Sequence, residues 1–146
     1  MKYSCKVDIK LPRDRIIELF DDPENLPKWL IGLESFTHKS GEPGFPGAQS
    51  DIVVWGGNRR VEMVETIETR DLPHEFTAIY TTKGVWNRTE NFFTANDDGT
   101  TTWEQINEFR CEGLMMKLMT RIMPGMFRKE TMKQMDSFKT FAEAQG

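Results

Sequence analysis

The residues best suited to chemistry sit at alternating positions in two stretches. Asn87, Thr89 and Asn91 recur at every second position between Val85 and Ala95, and Gln105 and Asn107 do the same between Thr100 and Cys111. Side chains two apart on a strand share a face, so each stretch would set neutral donors and acceptors in a row, beside Phe93, Trp103 and Phe109. The intervening positions carry Arg88, Glu90, Glu104, Glu108 and Arg110. An unpaired ion is far harder to bury than an amide, so the charges belong in water and the amides in the interior. A bulge would invert every residue beyond it, which leaves a solvated amide face as the other reading. Turned inward, Asn87, Asn91, Gln105 and Asn107 would select a ligand with a few oxygens on a hydrophobic frame, with Trp103 and Phe109 supplying apolar surface.

Glu65 and Tyr80 are the candidates for an acid or base. Glu65 shares parity with Val61, Met63 and Ile67, which would turn it inward. Desolvation there would raise its pKa and suit it to general acid–base work. If Val64 faces in instead, Glu65 sits in water, and that solvated placement is the preferred one. Other constellations are missing. There is no G-x-S-x-G elbow, no phosphate loop and no G-x-G-x-x-G fingerprint. His38 and His74 lie 36 positions apart, in or beside predicted turns, so no two-histidine metal site on one element is expected. Cys5 and Cys111 are too far apart for a CxxC pair and read as free thiols, although neighbouring first and last strands could bring them together. Asn87-Arg88-Thr89 matches a glycosylation sequon, which without a secretory signal is coincidence. No motif implies a cofactor or a metal.

The elements that would hold these residues follow from periodicity. The chain has 146 residues, 19 basic against 23 acidic side chains and 38% hydrophobic content, fitting one globular domain over residues 1–146. Its acidic balance, with a pI near 5.3, argues against a nucleic-acid partner. No apolar run is long enough to span a bilayer, and the first ten residues alternate instead of forming an apolar h-region, so the expected location is cytoplasmic and the expected state a monomer. Tyr3, Cys5, Val7 and Ile9 point one way along a first strand. Pro12–Phe20 reads as a short helix, and Asp22-Pro23 starts a second one running toward Trp29. Ser40–Gly47 is a turn-rich connection. Strands are predicted at Asp51–Trp55, Arg60–Arg70, Glu75–Thr82, Val85–Ala95 and Thr100–Cys111, and their short Gly- and Asp-bearing connections imply antiparallel hairpins. A helical segment from Leu114 to Ala144 closes the chain, kinked or divided at Pro124-Gly125. Phe127, Thr131, Met135, Phe138 and Ala142 form its core-facing stripe. The expected class is α+β: a curved antiparallel sheet of six to seven strands wrapped around a long C-terminal helix, with two short helices after strand one.

Several segments carry a resemblance over essentially the whole chain. They are the alternating first strand with the Arg13–Phe20 helix, the segment Asp22-Pro23-Glu24-Asn25-Leu26-Pro27-Lys28-Trp29, and Asp98-Gly99-Thr100 before the last strand. Met123-Pro124-Gly125-Met126-Phe127 and the ending Phe138-Lys139-Thr140-Phe141-Ala142-Glu143 complete the set. The chain resembles the SRPBCC superfamily (START-like, helix-grip fold), which includes polyketide cyclases, lipid-transfer domains and plant pollen allergens. The resemblance implies a deep, mostly apolar cavity between sheet and long helix, and no universal catalytic residues. It places Trp29 and Trp55 at the cavity mouth, with Met63, Tyr80, Phe127 and Met135 as further lining. Met115, Met119, Met123 and Met126 recur along the first part of the terminal helix and read either as core or as an adaptable cavity wall. Nearby Lys117, Arg121, Arg128, Lys129 and Lys133 raise a membrane-surface helix as a lesser alternative, set against the fact that the sheet would lose its only cover. The expected partner is therefore a small hydrophobic or amphipathic molecule, lipid-like or polyketide-like, with no stable membrane insertion. A cyclase or dehydratase using Glu65 or Tyr80 is the second reading. A protein-interaction module is the third, favoured by an exposed apolar patch.

Overall fold

The computed structural model describes all 146 residues. The elements are β1 (Lys2–Ile9), α1 (Arg13–Phe20), α2 (Leu26–Trp29), β2 (Leu33–Ser40), β3 (Gln49–Gly56), β4 (Arg59–Asp71), β5 (Glu75–Thr82), β6 (Val85–Ala95), β7 (Thr101–Cys111), α3 (Leu114–Ile122) and α4 (Pro124–Gln145). The seven strands form one antiparallel sheet in the order β1-β7-β6-β5-β4-β3-β2, so the first strand closes onto the last and the rest is a meander. A single 3-10 turn, Pro23–Asn25, precedes α2, and the Asp22 carboxylate caps it by accepting from the Glu24 amide at 3.0 Å.

The strand absent from the expected set is β2. Its Leu33-Glu-Ser-Phe-Thr-His-Lys-Ser stretch is an exposed edge with weak alternation, so little burial selects its side chains. Gly32 fixes its entry: φ is 83° there, and a Cβ would fall 2.2 Å from the Trp55 carbonyl oxygen. Only glycine allows that approach.

The core lies at one end of the concave sheet face. Cys5, Val7 and Ile9 from β1 join Ile16 and Leu19 of α1, Trp29 of α2, Phe93 and Trp103 of the sheet, and Met135, Phe138 and Ala142 of α4. Phe138 meets Trp29 at 5.1 Å and Trp103 at 5.3 Å between ring centroids, both edge to face, a favoured aromatic geometry. The terminal segment is divided, not merely kinked. Pro124 cannot donate to the preceding turn, and Met123 leaves the helical region at φ −127°, ψ 51°. Only α4 grips the sheet. Tyr3 ties it to β1 through Thr131 at 2.7 Å, Gln134 exchanges two hydrogen bonds with Ile31, and the Glu143 carboxylate accepts from the Lys10 amide at 2.9 Å. This is the helix-grip arrangement.

Cys5 and Cys111 are both free. β1 and β7 are neighbours, but Cys5 opposes Gln105, six positions from Cys111. At about 3.3 Å per residue the thiols sit roughly 20 Å apart.

Candidate functional site

Direct cross-strand partners in an antiparallel sheet point to the same face, so the register orders the concave surface into rows. The first row is Val7, Trp103 and Phe93, and it belongs to the core. The next is Cys5, Gln105, Asn91 and Phe76, followed by Tyr3, Asn107, Thr89, Ala78 and Ile67. The last is Phe109, Asn87, Tyr80, Glu65 and Ser50, spanning five strands. Burial is complete in the first row and falls to half at Phe109, Asn87 and Tyr80.

The amides do turn inward, and no bulge disturbs β6 against β7. They bond chiefly to one another. Asn91 Oδ1 accepts from Trp103 Nε1 and from Gln105 Nε2, both at 3.0 Å, while its own Nδ2 donates to the Phe76 carbonyl. Asn107 Nδ2 donates to Gln105 Oε1 at 2.8 Å, and Asn107 Oδ1 accepts from Thr89 Oγ1 at 2.8 Å and Asn87 Nδ2 at 3.1 Å. Buried polar groups need such partners, and this ladder supplies them from within. Asn107 is only 3% exposed, so it and Asn91 are structural members. Asn87 and Gln105 are half-buried and retain unused donor or acceptor capacity. The outer face takes the charges: Arg88 pairs with Glu68 and Glu90, and the Arg110 guanidinium lies 4.3 Å from the centre of the Trp86 ring.

Glu65 corrects the solvated placement. It is 9% exposed and faces inward, because the parity shared with Met63 and Ile67 persists until a register shift beyond Ile67. Tyr80 Oη donates to Glu65 Oε2 at 2.9 Å, the only hydrogen bond that carboxyl receives. Burial pushes Glu65 above the ordinary carboxylate range, and the Tyr80 hydrogen bond opposes that shift. Burial, reinforced by the neighbouring carboxylate, holds the Tyr80 phenol well above its usual value, so it remains a donor. Ser50, buried directly across from Glu65, was missed from sequence. Its signal was the alternation Ser50, Ile52, Val54.

Other expected site residues lie elsewhere. Trp55 faces outward, because Ile52 and Val54 take the inward parity of β3; its Nε1 donates to Glu34 at 2.9 Å. Trp29 is not at a mouth but packed within the core, where its Nε1 is the one buried side-chain polar atom without a partner. Met135 is likewise sealed into the core. Met119 and Met123 point to solvent. Met63 is half-buried on the concave side, and Phe127 packs on Phe109 with ring centroids 5.0 Å apart. An open trough of about 450 Å³ runs along β3–β5, lined by residues 51–53 and 62–64 with Thr81 and Thr82. No helix is long and apolar enough to cross a membrane.

Residues 2–143 match the family described as "Polyketide cyclase / dehydrase and lipid transport". A protein from Thermus thermophilus has the same fold with a TM-score of 0.82 at 14% identity, over 100% of this chain and 99% of that one. The Zhui aromatase/cyclase from a Streptomyces species gives 0.82 at 10% identity, over 98% of this chain and 93% of that one. Norcoclaurine synthase from Thalictrum flavum, in complex with dopamine and hydroxybenzaldehyde, gives 0.75 at 13% identity, over 100% and 88%. At such identities the likeness is one of fold. No curated sequence matches the chain.

Proposed function

The chain belongs to the polyketide cyclase/dehydrase and lipid transport family, and from that premise we propose that it binds a small amphipathic molecule on the concave sheet face. The observation that carries this reading is the row in which half-buried Asn87 and Tyr80 join the buried Glu65 and end on Phe109. It offers a phenol, an amide and a carboxyl in line, bordered by Met63, Phe109 and Phe127 as apolar surface. A ligand with a few oxygens on a hydrophobic frame would match it. Native mass spectrometry of the purified protein tests this. Retention of a small molecule is expected, with loss of that molecule in Asn87→Leu and Phe109→Ala while the fold persists. Unaltered retention in both variants overturns the assignment.

A second reading, a dehydratase or cyclase, is favoured by Glu65 itself. A carboxyl with one hydrogen bond and little water is a stronger base than a solvated one. It could take a proton from a carbon beside a ligand carbonyl, and return it to the hydroxyl leaving the next carbon as water. Under this reading Glu65→Gln abolishes turnover of the retained molecule but keeps its binding. Turnover unchanged in that variant would leave only the binding role.

A further inference from the structure

α3 packs the wrong way round for a core helix. At roughly 100° per residue, Leu114, Leu118, Ile122, Met115 and Met119 cover one continuous arc, with Arg121 and then Lys117 along its Leu114 edge and Met116 and Thr120 opposite. Only Met116 and Thr120, one turn apart on the far side, are half-buried. The apolar arc therefore faces solvent: Leu114 is 86% exposed, Ile122 66% and Leu118 53%, and Met123 and Met126 extend the patch into α4. Soluble monomers ordinarily scatter their exposed apolar side chains singly, whereas here Leu114, Met115, Leu118, Met119, Ile122, Met123 and Met126 are exposed within one short segment.

Charge indicates what covers it. Between Gly113 and Lys129 there are four basic residues, Lys117, Arg121, Arg128 and Lys129, and no acidic one. The other 15 basic side chains face all 23 acidic ones, a net of −8 across the remainder. An apolar arc flanked by cations on an otherwise acidic protein complements an anionic lipid surface. A second copy would set these cations against themselves. The objection raised from sequence, that the sheet would be uncovered, falls because the terminal segment contributes to the core over the sheet only through Met135, Phe138 and Ala142 of α4, and Pro124 separates α3 from that helix.

We propose that α3, with Met123 and Met126, docks this protein reversibly on an anionic membrane, the helix lying in the interface. The inference stands apart from the ligand reading, since vesicle binding reports on α3 and ligand retention on the concave face, and either can fail alone. The test is flotation of the full chain with vesicles of phosphatidylcholine, with and without phosphatidylserine. Binding is expected only with phosphatidylserine and should weaken as salt screens the charges. Lys117→Gln with Arg121→Gln should lower partitioning about fivefold per residue, and Leu118→Gln with Ile122→Gln should lower it about tenfold or more. Both pairs are exposed and should leave the circular dichroism and Tm unchanged. Absence of binding to anionic vesicles, or binding indifferent to both pairs, overturns the proposal. So does a concentration-dependent dimer, or a stoichiometric protein complex, that the Leu118/Ile122 pair dissolves.

Discussion

Replacing Tyr80 by Phe removes one oxygen from a half-buried site and leaves the ring in place. The Tyr80 hydroxyl donates the sole hydrogen bond to the Glu65 carboxyl, at 2.9 Å. A hydrogen bond to a buried charge contributes about 1.5–3 kcal/mol and one between neutral groups about 0.5–1.5 kcal/mol. The Glu65 pKa is raised in the fold by burial, so Glu65 stabilises the protein most below its unfolded value of about 4.3. That contribution is lost as pH rises through the folded value. The Tyr80 hydrogen bond lowers the folded value, so Tyr80→Phe pushes it further up and steepens the loss. A double-mutant cycle with Glu65→Leu, read by urea denaturation, should give a coupling of about 2 kcal/mol near pH ~8 and about 1 kcal/mol near pH ~4. For a chain of this length, about 2 kcal/mol corresponds to roughly 4–8 °C in Tm for the single variant. A coupling below about 0.5 kcal/mol, or one independent of pH, would refute the inward charged pair.

Asn91→Leu removes the oxygen that accepts from both Trp103 and Gln105. Trp103 is fully buried, and its orphaned indole N–H should cost about 1–3 kcal/mol in urea denaturation; wild-type stability would mean that the ladder is not formed. Outside the site, Arg60 and Trp55 hold the Glu34 carboxyl down at about 2 by hydrogen bonding. The stabilisation this gives is present above the unfolded value and lost as pH falls through about 2. Arg60→Gln should therefore raise the Glu34 titration toward about 4.3 in carboxyl NMR, and an unmoved titration would dissolve the proposed pairing.

Periodicity made the strands and the inward amides legible, because charge and amide alternate strictly through Val85–Ala95 and Thr101–Cys111 and no bulge interrupts them. It failed at Glu65 for a physical reason. A carboxyl is costly to bury alone, and its partner Tyr80 is fifteen residues away on a strand whose register no local pattern fixes. It failed at β2 because an exposed edge strand carries almost no burial constraint. Trp55 was misplaced by the resemblance, which set it at the cavity mouth, whereas Glu34 and Arg60 give its indole a polar setting on the outer face. The methionines of α3 were readable as amphipathic, but which way the helix presents them depends on Pro124 dividing it from α4.

Why the concave face keeps an amide ladder where apolar side chains would pack follows from its direction. Each amide donates to the next, from Asn87 to Asn107 to Gln105 to Asn91, and the last donates to the Phe76 carbonyl. Replacing such a network whole by apolar groups can be nearly neutral for stability, whereas breaking one member is costly. Stability alone therefore gives little reason to keep it. What the ladder does provide is fixed orientation for Asn87, which also donates to the Glu108 carbonyl at 3.1 Å and stands between Tyr80 and Phe109 in the outermost row. An amide held by two neighbours need not pay ordering entropy again when a ligand arrives. The buried part of the ladder is thus best understood as support for the half-buried part. This separates two classes of variant. Substitutions at Asn91, Gln105 and Asn107 should lower stability, whereas those at Asn87 should change ligand retention first.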